Sequence, residues 1–174
     1  FSLVSNDVSR NRLIIIPAYW FLYNMYALAR NEVKYKERDI RTDKTQRLEF
    51  DFLAPDSVNE IFEALYLLKK FTGLAYAKKI NTSLDEKQAV ETGERLLEEK
   101  DPALDELEIL AEGFENSGRL VQLLKVSKAY SIFKELIIYY GINQILQLCL
   151  RNKINSWERL QELLPARVKR TPWK

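Results

Sequence analysis

With 174 residues, 47% of them hydrophobic, the chain can bury one sizeable core, and two full domains would stretch it. It contains no histidine, which removes Ser-His-Asp and Cys-His catalysis, imidazole zinc sites and the Glu-x-x-His di-iron bundle. A single cysteine, Cys149, excludes an internal disulfide and fits a reducing compartment, and the net charge of +2 is unevenly spread.

Residues 1–16 read as an extended lead-in from a preceding domain. Ser5, Asn6, Asp7 and Ser9 are turn formers among isolated apolar residues. Leu13 to Ile16 fits a short strand or an extended approach, because the residue before Pro17 is biased away from helix. No secretory signal is visible in this stretch, and the first residue is not Met, so the sequence reads as a piece of a longer protein.

A helical domain is then expected over 17–164. Pro17 suits a first helical position, and neither Gly nor Pro follows until Pro55. From Ala18 to Ala29 the chain is apolar on nearly every side, the pattern of a helix covered by neighbours all round. This is the expected buried central helix. Tyr19, Trp20, Phe21, Tyr23 and Tyr26 then need partners for their polar tips, and Asn24 is expected to be a satisfied core amide. The uncharged run Leu13 to Ala29 is shorter than the roughly 20 residues of a bilayer span and is interrupted by Pro17 and Asn24, so no membrane is expected. Beyond it, Glu32 to Lys36 and Glu37 to Arg41 are spaced for helical ion pairs.

Leu48, Phe50 and Phe52 alternate with acids and suggest a short extended clip. Ser57 and Glu60 form a capping box that opens a helix to about Ile80, with Asn81 as its stop. Its expected core face is Val58, Ile61, Phe62, Leu65, Leu68, Thr72 and Ala75, with Lys69, Lys70, Lys78 and Lys79 outward. A third helix is expected over Leu84 to Glu99, and a fourth from Asp101-Pro102 to Gly113. Helical spacing predicts a long helix over Arg119 to Tyr140 ended by Gly141, then another over Ile142 to Leu150. Asn155 and Glu158 make a capping box for Ser156 to Leu164. Residues 165–174 read as a basic C-terminal linker or tail. The expected fold is all-α: an irregular bundle of about five to seven helices around the aromatic central one.

Between Asp85 and Glu115 twelve acids face three bases, a net of −9, so the rest of the chain carries +11. Asp101, Asp105, Glu108 and Glu112 would line one face of the fourth helix, but without a converging ligand they read as a solvated face, and no metal is expected. Basic residues gather at Arg30, Lys34, Lys36, Arg38 and Arg41 around Tyr35, and at Arg167, Lys169, Arg170 and Lys174 beside Trp173. Such clusters can hold nucleic acid, although Glu32, Glu37 and Asp39 offset the first, which disfavours that partner. Phosphate-binding loops, nucleophile elbows and Cys-x-x-Cys pairs are missing.

The runs Asn6 to Ser9, Arg12-Leu13, Pro17 to Trp20, Tyr23 to Asn31, and Lys34-Tyr35 to Arg38-Asp39 resemble a family of large proteins from Bacteroides and relatives. In that family a left-handed β-helix, like that of sugar-nucleotide acyltransferases and nucleotidyltransferases, precedes a helical region. The resemblance is specific over about 1–56 and implies that this chain is the helical part. It carries no catalytic residue and no cofactor. The leading expectation is a non-catalytic accessory or interaction domain of a larger cytoplasmic bacterial protein, partnered by another domain of that protein or by a separate one. Two rivals are a sugar-nucleotide or acyl-transfer site completed by the β-helix, and a nucleic-acid-binding module. For the enzyme reading the candidate ligand-binding residues are Tyr19, Trp20, Tyr23, Asn24, Tyr26 and Arg30.

Overall fold

The computed structural model describes residues 1–45, 51–114 and 117–164. Two compact units divide the chain, 1–136 and 137–174. The all-α expectation is overturned, because the first unit contains a four-stranded mixed sheet.

Strand β1, Leu3–Asp7, turns back through Asn11, whose φ of 51° is left-handed, into β2, Arg12–Ile16. The two pair antiparallel, Leu3 opposite Ile16 and Asp7 opposite Arg12, so the lead-in of 1–16 is a hairpin of the sheet. At Asp7, Ser9 donates a hydrogen bond of 2.6 Å to the carboxylate and stiffens the turn. The continuous Leu-Ile-Ile-Ile run makes β2 an inner strand: its other edge pairs parallel with β4, Leu120–Leu123. Beyond β4 lies β3, Ile109–Ala111, antiparallel to it.

These last two strands fall where two helices were expected. Leu120, Leu123, Leu124 and Ser127 satisfy a helical stripe, but Val121 and Leu123 equally satisfy a strand with period two, and short runs do not distinguish them. Pairing decides. Val121 faces Ala111 and Leu123 faces Ile109, and all four are buried on one side of the sheet. The fourth helix shrinks to a 3-10 turn, Pro102–Glu106, started by the Asp101 carboxylate on the Ala103 N–H at 2.8 Å.

Helices α1, Tyr19–Tyr23, and α2, Met25–Glu37, replace the single central helix, with the break at Asn24. Helix α3, Pro55–Lys79, starts two residues ahead of the expected capping box, because Pro55 is itself suited to a first turn, and Asn81 past its end is left-handed as a stop should be. Helix α4, Glu86–Glu99, is opened by a reciprocal box: the Asp85 carboxylate accepts the Gln88 N–H at 2.8 Å, and the Gln88 amide oxygen accepts the Asp85 N–H at 3.1 Å.

The α3–α4 pair forms the densest part of the core. Val58, Ile61, Leu65, Leu68, Phe71, Thr72 and Ala77 of α3 are buried, as are Ala89, Leu96 and Leu97 of α4. Phe62, expected in that face, is 54% exposed, and Phe71 occupies the core position. Gly73 and Gly93 are at the crossing, where the two backbones approach too closely for any Cβ. Cross-links of opposite charge flank it, with Lys69 to Glu94 at 2.6 Å and Lys70 to Glu86 at 2.7 Å.

Thr72, beside that crossing, has no exposed surface, and its hydroxyl finds no hydrogen-bond partner among the described residues. Burying an unpaired hydroxyl is costly, while a methyl of the same shape is favoured there. Thr72→Val is therefore expected to raise the unfolding free energy by about 1 kcal/mol, read from urea denaturation.

Helix α5, Val126–Asn152, follows β4 through Lys125, whose φ is 58°. It runs straight through the expected stop at Gly141. A Cβ there would meet nothing within 4 Å, so Gly141→Ala is expected to gain about 0.5–1 kcal/mol in the same assay. In the second unit the distal half of α5 is followed by α6, Trp157–Leu163, capped by Ser156 on the Arg159 N–H at 3.3 Å rather than by Asn155.

Candidate functional site

The six candidate residues sit on α1, at the break, and on α2. Strand β2 ends at Pro17 and Ala18, both buried, and Ala18 takes a left-handed φ of 53° that turns the chain sharply into α1. The Trp20 N–H donates to the Phe1 carbonyl at 3.2 Å, tying α1 to the start of β1. Phe21 drops into an aromatic cluster, 5.2 Å from Phe1 and 5.7 Å from Phe52 by ring centroid. Tyr19 and Tyr23, one turn apart, contact each other at 5.3 Å.

Asn24 breaks the helix by its backbone. Its φ of −143° is not helical, its N–H donates to the Trp20 carbonyl at 2.9 Å, and its own carbonyl accepts the Ala27 N–H at 3.1 Å. The expected core amide is therefore a half-buried residue at a helix junction. Past the break, the Arg30 guanidinium lies 5.9 Å from the centre of the Tyr26 ring, a cation–π arrangement at the surface.

The expectation of a helix covered on all sides fails here. No residue of α1 is fully buried; Tyr23 is 55%, Met25 49% and Tyr26 80% exposed, and Val33 and Ile40 are exposed further on. The structure brings Tyr19 to Tyr23 and Tyr26 to Arg30, and leaves Tyr23 and Tyr26 exposed on an aromatic surface.

Clefts lined by described residues do occur in the first unit. One of about 350 Å³ opens where β4 passes into α5, near Leu104, Asp105 and Lys128. Another, of about 340 Å³, lies between α3 and β3. Another, about 450 Å³, is lined by Phe1, Phe114 and Phe133 together with Glu60 and Glu63. None is lined by the six candidates. In the α3–β3 cleft, Lys70 is held by Glu86 and Glu108 by Arg12, so these two charges are engaged in the fold, while Lys78 and Glu112 also line it.

The acidic row fares likewise. Without a fourth helix, Asp101, Asp105, Glu108 and Glu112 share no helical face. Asp101 caps the 3-10 turn and Glu108 pairs with Arg12 across to the sheet. Among the described residues no group of three or more acidic, His or Cys side chains is arranged to hold a metal.

Of the basic clusters, Arg41 lies beyond the end of α2, out of helical reach of Glu37. It bonds Asp39 instead, at 2.8 Å through both Nε and a terminal nitrogen. That bond holds the Asp39 carboxyl at about 2, below its ordinary 3.8. The side chains of Glu32, Tyr35 and Lys36, the alternating Leu48 and Phe50, and the tail with Arg167, Lys169, Arg170, Trp173 and Lys174 lie outside the described residues.

Sequence reasoning overlooked a second apolar surface. In the distal half of α5, Ile138, Tyr139, Ile142, Leu146 and Leu150 are all more than half exposed. The signal was present: no charged residue occurs from Ile137 to Leu150. Among the described residues no helix is long and apolar enough to cross a membrane.

No family model matches the chain, and no solved structure does. It is similar to an uncharacterized protein of Treponema pallidum (strain Nichols), with 37% identity over 146 residues. The match takes in 84% of this chain and 19% of that protein, so the chain spans about a fifth of its relative's length.

Proposed function

We propose that the chain is a non-catalytic accessory and interaction module of a larger cytoplasmic bacterial protein, docked to a neighbouring part of that protein through α1 and α2. The exposure of Tyr23, Met25 and Tyr26 on consecutive turns carries this reading. Large aromatic and methionine side chains are enriched at the buried centre of protein–protein contacts, and the tyrosines bury their area there with little loss of side-chain freedom. The Phe1–Phe21–Phe52 cluster fixes α1 from beneath and presents the tyrosines outward on a firm base.

Two further observations support it. The relative is about five times the length of the matching region, which leaves ample chain to form the neighbour. At the α3–β3 cleft Lys70 and Glu108 are tied up in ion pairs that hold the fold, which leaves those two poorly placed for acid–base work. A β-helix neighbour, implied by the resemblance of 1–56, is one form the docked surface takes under this proposal.

The test is a photo-crosslinking residue placed at Tyr26 of the whole polypeptide. The expected product joins position 26 to a segment outside residues 1–174. Crosslinks confined to this chain's own residues would sink the proposal.

A further inference from the structure

Helix α2 carries open charge as well as exposed apolar area. Arg30, Lys34 and Arg38 follow one another at every fourth residue, Arg30 and Arg38 exposed and Lys34 half-buried. Side chains at that spacing are neighbours along a helix, so the three like charges repel one another. The helix dipole favours a cation at Arg38, just past the C-terminal end, but not at Arg30 in the middle. Among the described residues none of the three makes an ion pair. Elsewhere the fold does match charge between segments: Arg12, Lys69, Lys70, Lys79 and Lys134 each pair with a glutamate between 86 and 108. The positive charge of α2 is left without such a complement.

We infer that α2 docks against an acidic segment of the neighbouring part of the polypeptide, which sets carboxylates opposite Arg30, Lys34 and Arg38 and apolar side chains opposite Met25, Tyr26 and Val33. This rests on the docking through α1 and α2 proposed above, and adds the chemistry of what docks. Carboxylates suit the cations, because a guanidinium held over a ring, as Arg30 is over Tyr26, keeps N–H donors for a carboxylate that it matches as a fork. Apolar groups suit the rest of the face, where Met25 is 49% and Val33 54% exposed. Glu37 separates this occupant from a nucleic acid. It is exposed, and its spacing from Arg30 and Val33 puts it on their face of the helix. A phosphate backbone, with a charge every few ångströms, would meet that carboxylate as well as the aliphatic side chains. A protein segment places discrete charges between apolar residues, and so satisfies both.

The test is a zero-length carbodiimide reaction on the whole polypeptide, which joins an amine to a carboxylate only where the two touch. It is run on the parent and on Arg30→Lys, which keeps the charge and gains an amine, with exposed Lys87 on α4 as background. Amide bonds are expected from Lys34, and from Arg30→Lys, to an Asp or Glu outside 1–174, at a yield several-fold above that from Lys87 to any such residue. Products confined to 1–174, or a yield no higher than that from Lys87, overturn the inference. So does a photo-crosslinked product at Tyr26 that nuclease removes. A Tyr26 photo-crosslink to a segment outside 1–174 without the carbodiimide product leaves the accessory-module reading standing and removes this one, whereas absence of both removes the two together.

Discussion

Gly93→Ala is expected to cost about 3 kcal/mol or more of stability, lowering the melting temperature by roughly 10 °C in a thermal unfolding experiment. On an isolated helix the same change would help by up to about 1 kcal/mol, since alanine loses less backbone freedom than glycine. At this position the close approach wins. A Cβ on Gly93 would stand 1.9 Å from the Lys69 carbonyl oxygen and 2.9 Å from the Gly73 N. One on Gly73 would stand 1.9 Å from the Ala89 carbonyl oxygen. These neighbours are backbone and cannot swing aside, so α3 and α4 must separate. Separation opens the contacts of Leu96 and Leu97, both almost wholly buried, and each loses packing that no rearrangement of side chains restores. Gly73→Ala should behave in the same way. Gly141→Ala, in open space, should move the other way, so the pair separates helix propensity from backbone contact. A Gly93→Ala protein as stable as the parent would show that the helices do not cross at this distance.

The same crossing shows what the sequence made legible. Helices α3 and α4 were readable because periodicity over 25 and 14 residues leaves little room for another assignment. Gly93 is unfavourable in α4 on propensity alone, and its purpose is visible only with Gly73 opposite. The sheet was not readable. Strands β3 and β4 have three and four residues, too few to separate a strand from a turn of helix, and what fixes them is a partner far away in sequence. Arg12 and Gln122, 110 residues apart, meet at 3.5 Å across the paired strands. No local pattern contains that information.

For the candidate surface the difficulty was of another kind. The uncharged, aromatic composition from Ala18 to Ala29 predicts a covered helix, yet Tyr23, Met25 and Tyr26 are exposed. Composition does not say which chain supplies the cover. Nor did it signal the break at Asn24, which uses neither Gly nor Pro and depends on a single non-helical φ. The six residues were grouped by composition, while the exposure of Tyr23 and Tyr26 among them is given only by the fold.

Glu98→Ala is expected to cost about 2 kcal/mol, because it strands a buried phenol. Tyr130 on α5 is 3% exposed and its hydroxyl donates to Glu98 on α4 at 2.7 Å. Lys134 donates to the same carboxylate at 2.5 and 2.8 Å and lies 5.6 Å from the centre of the Tyr130 ring. The lysine alone would be worth little, being about two-fifths exposed, but the phenol has no water to turn to. The cluster also sets a pH dependence. Lys134 and then Tyr130 hold the Glu98 carboxyl below its ordinary 4.5, so its contribution is present above that value and is lost as pH falls through the lowered one. Burial, and then the bond to Glu98, raise the Tyr130 phenol above its ordinary 10, so its contribution is complete below pH 10 and is lost as pH rises toward the raised value. Urea denaturation across pH 3 to 11 should therefore show a plateau that declines at both ends. Tyr130→Phe should flatten the alkaline decline, and Glu98→Gln, which keeps an acceptor for the phenol, the acid one. An alkaline decline unchanged in Tyr130→Phe would mean that another group titrates there and that the phenol is not held as these distances require.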